Sequence, residues 1–119
     1  LTAIQTFHRI GRETAPFFQK YAALLTPTLA SLPPKLGYLS TETDDVQGYL
    51  KRTFDFAPYT RLFNVTGQPA MSLPLHWTDS GLPVGVQIAG AYGSESLLFR
   101  LAFQLERAQP WAARDPFRA

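Results

Sequence analysis

Between Ala70 and Ala89 the sequence alternates twice, and no other stretch restricts the available folds so strongly. Met71, Leu73 and Leu75 alternate with Ala70, Ser72 and Pro74; after a break, Val84, Val86 and Ile88 alternate with Gly85, Gln87 and Ala89. A period of two over neighbouring runs predicts two one-sided strands. Between them, Asp79-Ser80-Gly81 tolerates positive φ or bonds its own backbone, and Pro83 starts the return strand where a missing N–H matters least. The strands are therefore expected as antiparallel neighbours. One face is aliphatic. The other carries Ser72, Gly85, Gln87 and Ala89, which either accept a tightly packed helix or form the floor of a ligand pocket.

Ahead of the hairpin, Ile4, Phe7, Ile10, Phe17, Phe18 and Tyr21 recur at helical spacing from Thr2 to Tyr21. Pro16 is costly inside a helix and welcome in a first turn, so the helix is expected to be interrupted or restarted there, with Thr14-Ala15-Pro16 as a cap. His8, near the apolar stripe, reads as a packed, hydrogen-bonded side chain. Ala22 to Thr26, stopped by Pro27, reads as a buried strand in the middle of a sheet. Leu29 to Thr43 lacks periodicity and carries Pro33-Pro34 and Gly37, which predicts ordered coil. Thr41 and Asp44 resemble a capping box for a helix from about Asp44 to Phe54, with Asp44 and Asp45 in its first turn and Lys51 and Arg52 in its last. A short helix is expected within Phe56 to Val65, with Pro58 in its first turn and Gly67 as its cap. After the hairpin, Ser94 is placed to cap a helix whose stripe is Leu97, Leu98, Leu101, Ala102, Leu105 and Ala108, stopped by Pro110. Trp111 is expected to fold back on the body, ahead of a polar tail, Ala112 to Ala119, with Arg114 and Arg118.

At 119 residues the chain can hold one domain or part of one. Its formal net charge of +2 comes from Lys and Arg scattered between Arg9 and Arg118, which argues against a nucleic-acid partner. The absence of cysteine excludes thiolate chemistry and disulfides, and fits a reducing compartment; the cytoplasm is the expected location. No run reaches the roughly 18 apolar residues of a membrane helix, so no membrane partner is expected. The chain begins at Leu1, within an amphipathic pattern and not at Met, as expected of a fragment or of a chain whose start lies outside it.

No catalytic set emerges from the residues alone. Ser72 is mid-strand, His76 lies near the turn beside Trp77, and a Ser72-His76-Asp79 assembly would have to fold back within one hairpin. Asp44 and Asp45 lack the further ligands a metal needs, and a solvated helix start explains them. Gly90 and Gly93 do not form a phosphate loop, and Asn64-Val65-Thr66 matches a glycosylation pattern too short to carry weight.

Four segments carry a resemblance: Tyr21 to Leu29, Phe63 to Pro74 (Phe-Asn-Val-Thr-Gly-Gln-Pro-Ala-Met-Ser-Leu-Pro), Gly81 to Gly90 (Gly-Leu-Pro-Val-Gly-Val-Gln-Ile-Ala-Gly), and Gln104-Leu105-Glu106 before Pro110-Trp111. In order and spacing they resemble the C-terminal part of amidase signature family enzymes, with Ala22 standing where many members have Asp. The resemblance implies an α/β fold, in which an antiparallel hairpin and a further strand of a mixed sheet pack against helices. It makes residues 1–119 a single partial domain. It also implies amide hydrolysis by a serine nucleophile, a second serine in a cis peptide, and a lysine base. Those groups sit upstream in the family; this chain has no Gly-Gly-Ser-Ser run, and Lys20, Lys35 and Lys51 fall in none of the matching motifs. Catalytic residues, metal ligands and cofactors are therefore expected to be absent, and the chain alone inactive.

By the same resemblance Tyr59, Thr60, Phe63 and Asn64 are expected to face the acyl pocket for a small-molecule amide substrate, with a packed, capped helix as the competing reading. The leading expectation is the C-terminal portion of an amidase, and the alternative is a stand-alone, non-catalytic interaction or structural module with an amidase-like fold. If the first holds, orphaned apolar surface is expected to drive homo-oligomerisation.

Overall fold

The computed structural model describes residues 2–114. In chain order these form α1 (Thr2–Lys20), β1 (Leu24–Pro27), α2 (Val46–Phe56), α3 (Thr60–Thr66), β2 (Ala70–Trp77), β3 (Pro83–Ala89) and α4 (Glu95–Ala108). The fold is α/β. The strands make one sheet in the order β1-β3-β2, and β3 pairs antiparallel with both neighbours.

The hairpin lies where the alternation puts it, with one change. Met71 stands opposite Ile88 and Leu73 opposite Val86, but the register then slips, and His76, not Leu75, stands opposite Val84. An extra residue beside Pro74 accounts for this, because proline cannot donate to the ladder and is tolerated at an edge or a bulge. The connection closes as expected: Gly81 adopts φ 80°, the Gly81 N–H donates to the Thr78 carbonyl, and the Thr78 N–H donates to that of Leu82.

The first strand differs from expectation. β1 is an edge strand, with Leu25 61% exposed, and not the middle of a sheet. A short apolar run before a proline reads alike at either place; the centre belongs to β3, the strand with apolar residues on one face and small ones on the other.

Three of the helices also depart from expectation. α1 runs unbroken through Pro16, and Thr14 Oγ1 donates to the Ile10 carbonyl at 2.8 Å. Its one buried position is Gly11, and His8 is exposed, not packed. α2 starts two residues later than Asp44: Asp45 is the N-cap, accepting from the Gly48 N–H at 2.8 Å, while Thr43 Oγ1 accepts from the Asp45 N–H. Lys51 and Arg52 fall in the body of α2; Lys51 pairs with Asp55, and Arg52 lies 3.8 Å from the Asp45 carboxylate. Ser94 takes the N-cap place of α4 but turns its hydroxyl to the Ala91 carbonyl, at 2.7 Å, instead of capping.

Other features agree. α3 ends at Gly67, with φ 75° and its N–H on the Phe63 carbonyl, and no helix or strand occurs between residues 29 and 43. Trp111 is half-buried, and the Arg114 guanidinium sits 5.8 Å over the Trp77 ring, so the chain returns to the hairpin. The remaining tail, residues 115–119 with Arg118, lies outside the described residues.

The core is small, and it sits where α3, the end of β3 and the start of α4 meet. Its buried apolar residues are Phe63, Ile88, Ala89 and Leu98. Gln87 and Ile88 point to opposite faces of β3, and each is nearly inaccessible, so both faces are covered at that end. Elsewhere cover is thin. The chain measures 48 × 45 × 16 Å, and its radius of gyration of 16.8 Å exceeds the roughly 13.5 Å of a compact domain of this length.

Candidate functional site

The helix α3 is short because Gly67 turns the chain out of it, and that turn delivers Gln68 and Pro69 directly into β2. Thr60, Phe63 and Asn64 are spaced three and four apart, so they share one side of α3. With Gln68 they form one wall of a cavity of ≈ 270 Å³. Ala70, Met71 and Ser72 of β2, Gln87 of β3 and Thr28 just after β1 complete it. Three of the four residues expected at a pocket are thus brought together. Tyr59 is not among them: it lines a neighbouring cavity of ≈ 290 Å³ with Pro27, Leu29, Pro83 and Gly85. Phe63 is buried, Thr60 half-buried, and Tyr59 and Asn64 exposed.

Cross-strand pairing aligns the floor. Thr26 stands opposite Gln87, and Gln87 opposite Ser72, so one row crosses all three strands on one face. Gln87 Nε2 donates to Thr26 Oγ1 at 3.0 Å, and the hydroxyls of Thr28 and Ser72 bond each other at 2.6 Å. That contact needs Gly85: a Cβ there would lie 2.7 Å from Ser72 Oγ and 2.8 Å from Thr28 Oγ1. The small-residue face of the hairpin thus lies under a cavity and a hydroxyl pair.

No lining side chain is charged. Among the polar groups Gln68 is unusual. It is 5% exposed, its Oε1 accepts from Thr66 Oγ1 at 2.9 Å, and its Nε2 is buried without a partner. A buried donor left unpaired costs about 1–3 kcal/mol.

Catalytic groups do not converge here. Ser72 pairs with Gln87 and His76 with Val84, positions on opposite faces of β3, so the bulge sends Ser72 and His76 to opposite sides of the sheet. Lys51 has its pKa raised by the hydrogen bond and charge of Asp55, which favours the protonated form over a free base. No group of three or more metal-binding side chains occurs among the described residues.

Sequence reasoning placed Ser72 and Gln87 on this face but missed Thr28 and Gln68. Thr28 arrives only through the pairing of β1 with β3, which no local pattern shows. Gln68 did carry a signal, as a polar residue between a helix-ending glycine and a proline, with no cap or turn to explain it.

The family model described as Amidase matches residues 1–99. The chain is 46% identical over 110 residues to "Putative amidase AmiC" of Mycobacterium leprae, an alignment covering 92% of this chain and 23% of that protein. It is 42% identical over 98 residues to the 6-aminohexanoate-cyclic-dimer hydrolase of Paenarthrobacter ureafaciens, covering 78% of this chain and 20% of that one. A solved structure of 6-aminohexanoate cyclic dimer hydrolase superposes with a TM-score of 0.79 at 36% identity, over 92% of this chain and 24% of the other. The chain therefore spans about a quarter of the length of the relatives it matches.

Proposed function

The chain belongs to the amidase family, and from that premise we propose that it is the C-terminal part of an amide-bond hydrolase. In this reading it supplies sheet strands and part of the acyl pocket, while the Ser-Ser-Lys catalytic set is supplied by the rest of the enzyme. The substrate is a small-molecule amide, and the enzyme works in the cytoplasm. No described helix is long and apolar enough to cross a membrane.

The observation that carries this reading is the uncharged cavity that brings Thr60, Phe63 and Asn64 against the Ser72 and Gln87 face of the sheet. Its mix of apolar wall and a few placed polar groups suits the uncharged acyl part of an amide. Tyr59, in the adjoining cavity, is assigned to the outer part of the same site.

The test uses the full gene product and hexanamide. Asn64→Leu is expected to raise KM about tenfold while kcat changes less than about twofold, as for a group that binds substrate and transition state alike. An unchanged KM would remove Asn64 from the site.

A further inference from the structure

The helix α3 carries a wall of the cavity on one side and is tied down on the other. Thr60, Phe63 and Asn64 line the cavity, whereas Val65 and Thr66 line a separate space of ≈ 290 Å³ against α1, together with Phe7, Gly11 and Tyr92. A helix of seven residues is held by what it touches more than by its own propensity, and its last carbonyls have no partner within it. The Phe63 carbonyl accepts from the Gly67 N–H, and the Thr66 carbonyl accepts from the Tyr92 hydroxyl. Tyr92 comes from the turn after β3, where Gly93 takes φ 72° and the Ser94 N–H and hydroxyl both donate to the Ala91 carbonyl. Its ring passes beside Gly67, on which a Cβ would lie 3.8 Å from it. Its hydroxyl meets Gly11, the one buried position of α1, on which a Cβ would lie 3.5 Å from the oxygen. The hydroxyl thus joins the end of α3 to the turn that leaves the central strand, and α1 covers the joint.

We propose that Tyr92 is a positioning residue for substrate binding, whose hydroxyl, by holding the Thr66 carbonyl, sets the wall of Thr60, Phe63 and Asn64 at its place over the Ser72 and Gln87 floor. This rests on the amidase reading and deepens it. Tyr92 lines neither the cavity nor the neighbouring one at Tyr59, so it acts on the acyl group only through α3. Phe63 lies three residues before Thr66, one turn back along the same short helix, so a shift of the Thr66 carbonyl carries to the wall. Without the Tyr92 hydroxyl, water satisfies that carbonyl but does not tie it to the turn after β3. The wall then loosens and the acyl group binds less well, while the catalytic set, which the rest of the enzyme carries in this reading, keeps its chemistry.

The experiment measures hydrolysis of hexanamide by the full gene product carrying Tyr92→Phe, which removes the hydroxyl and keeps the ring beside Gly67. KM is expected to rise about fivefold, the worth of one neutral hydrogen bond, while kcat changes less than about twofold. In an Asn64→Leu background, where the wall is already impaired, Tyr92→Phe is expected to raise KM by less than about twofold, because two groups that act through one wall do not add. A fall in kcat at constant KM, no change in either, or the full rise in both backgrounds would overturn the assignment and leave the amidase reading standing. Loss of the folded state in Tyr92→Phe, read by circular dichroism, would make the hydroxyl a structural tie and overturn it equally. If Asn64→Leu alone leaves KM unchanged, the wall does not bind the acyl group and Tyr92 has nothing to position. A wild-type enzyme that does not hydrolyse hexanamide sinks the amidase reading, and the inference falls with it.

Discussion

Ile88→Ala lowers the unfolding free energy of the chain by about 2–5 kcal/mol, the range for truncating a fully buried aliphatic side chain. Ile88 is 2% exposed on the central strand, with Leu25 on one side and Met71 on the other. It is one of four buried hydrophobic residues among those described, with Phe63, Ala89 and Leu98. Whole domains are stable by only about 5–15 kcal/mol, so a loss of this size leaves a large unfolded fraction. Leu25 is the control. It occupies the neighbouring strand in register with Ile88 but is 61% exposed, and Leu25→Ala is expected to cost less than about 1 kcal/mol. Urea titration followed by tryptophan fluorescence reads both changes, and equal losses would show that burial in β3 does not hold the sheet.

Produced alone, the chain is expected to sediment as dimers or larger species at micromolar concentration. Its accessible surface is 8742 Å² for 13.3 kDa, against about 6,450 Å² expected of a compact monomer, an excess of about 2,300 Å². That excess is as large as a standard protein interface. It is apolar in patches: Phe99 and Phe103, one turn apart on α4, are 75% and 63% exposed, and Ile4 and Phe7 on α1 are also open. In the amidase reading the rest of the enzyme covers these faces; when it is missing, a second copy is expected to cover them. Replacing Phe99 and Phe103 with glutamate shifts the population towards monomer by placing like charges on the face that pairs. Sedimentation that shows wild-type chain monomeric at these concentrations would mean the slab needs no cover.

The hairpin was legible because a period of two survives in sequence, and so was the stop at Gly67, where a positive φ is required. The bulge was not: Pro74 warned of it, but only the pairing shows that His76 takes the place opposite Val84. The edge position of β1 was hidden for a related reason, since an apolar run does not say how many neighbours it has. Local cues also misled at α2, where Asp44, Asp45, Lys51 and Arg52 fit the helix dipole, yet Asp45 caps and Lys51 pairs with Asp55. At the cavity, Thr60, Phe63 and Asn64 came from resemblance, and helical spacing then explains why they share a wall. Thr28 required the long-range β1–β3 pairing. Tyr59 separates from the other three because it precedes α3 and faces the Pro27 and Pro83 side of the sheet.

The most direct test measures ammonia released from hexanamide by the native full-length gene product and, at equal molarity, by the 119-residue chain. Release by the full-length product with none above background from the chain is the predicted result, because in the proposed reading the cavity contributes only to the acyl pocket, and its lining residues include no nucleophile and base in reach of each other. Turnover by the chain itself at the rate of the full-length product would contradict the account at its centre.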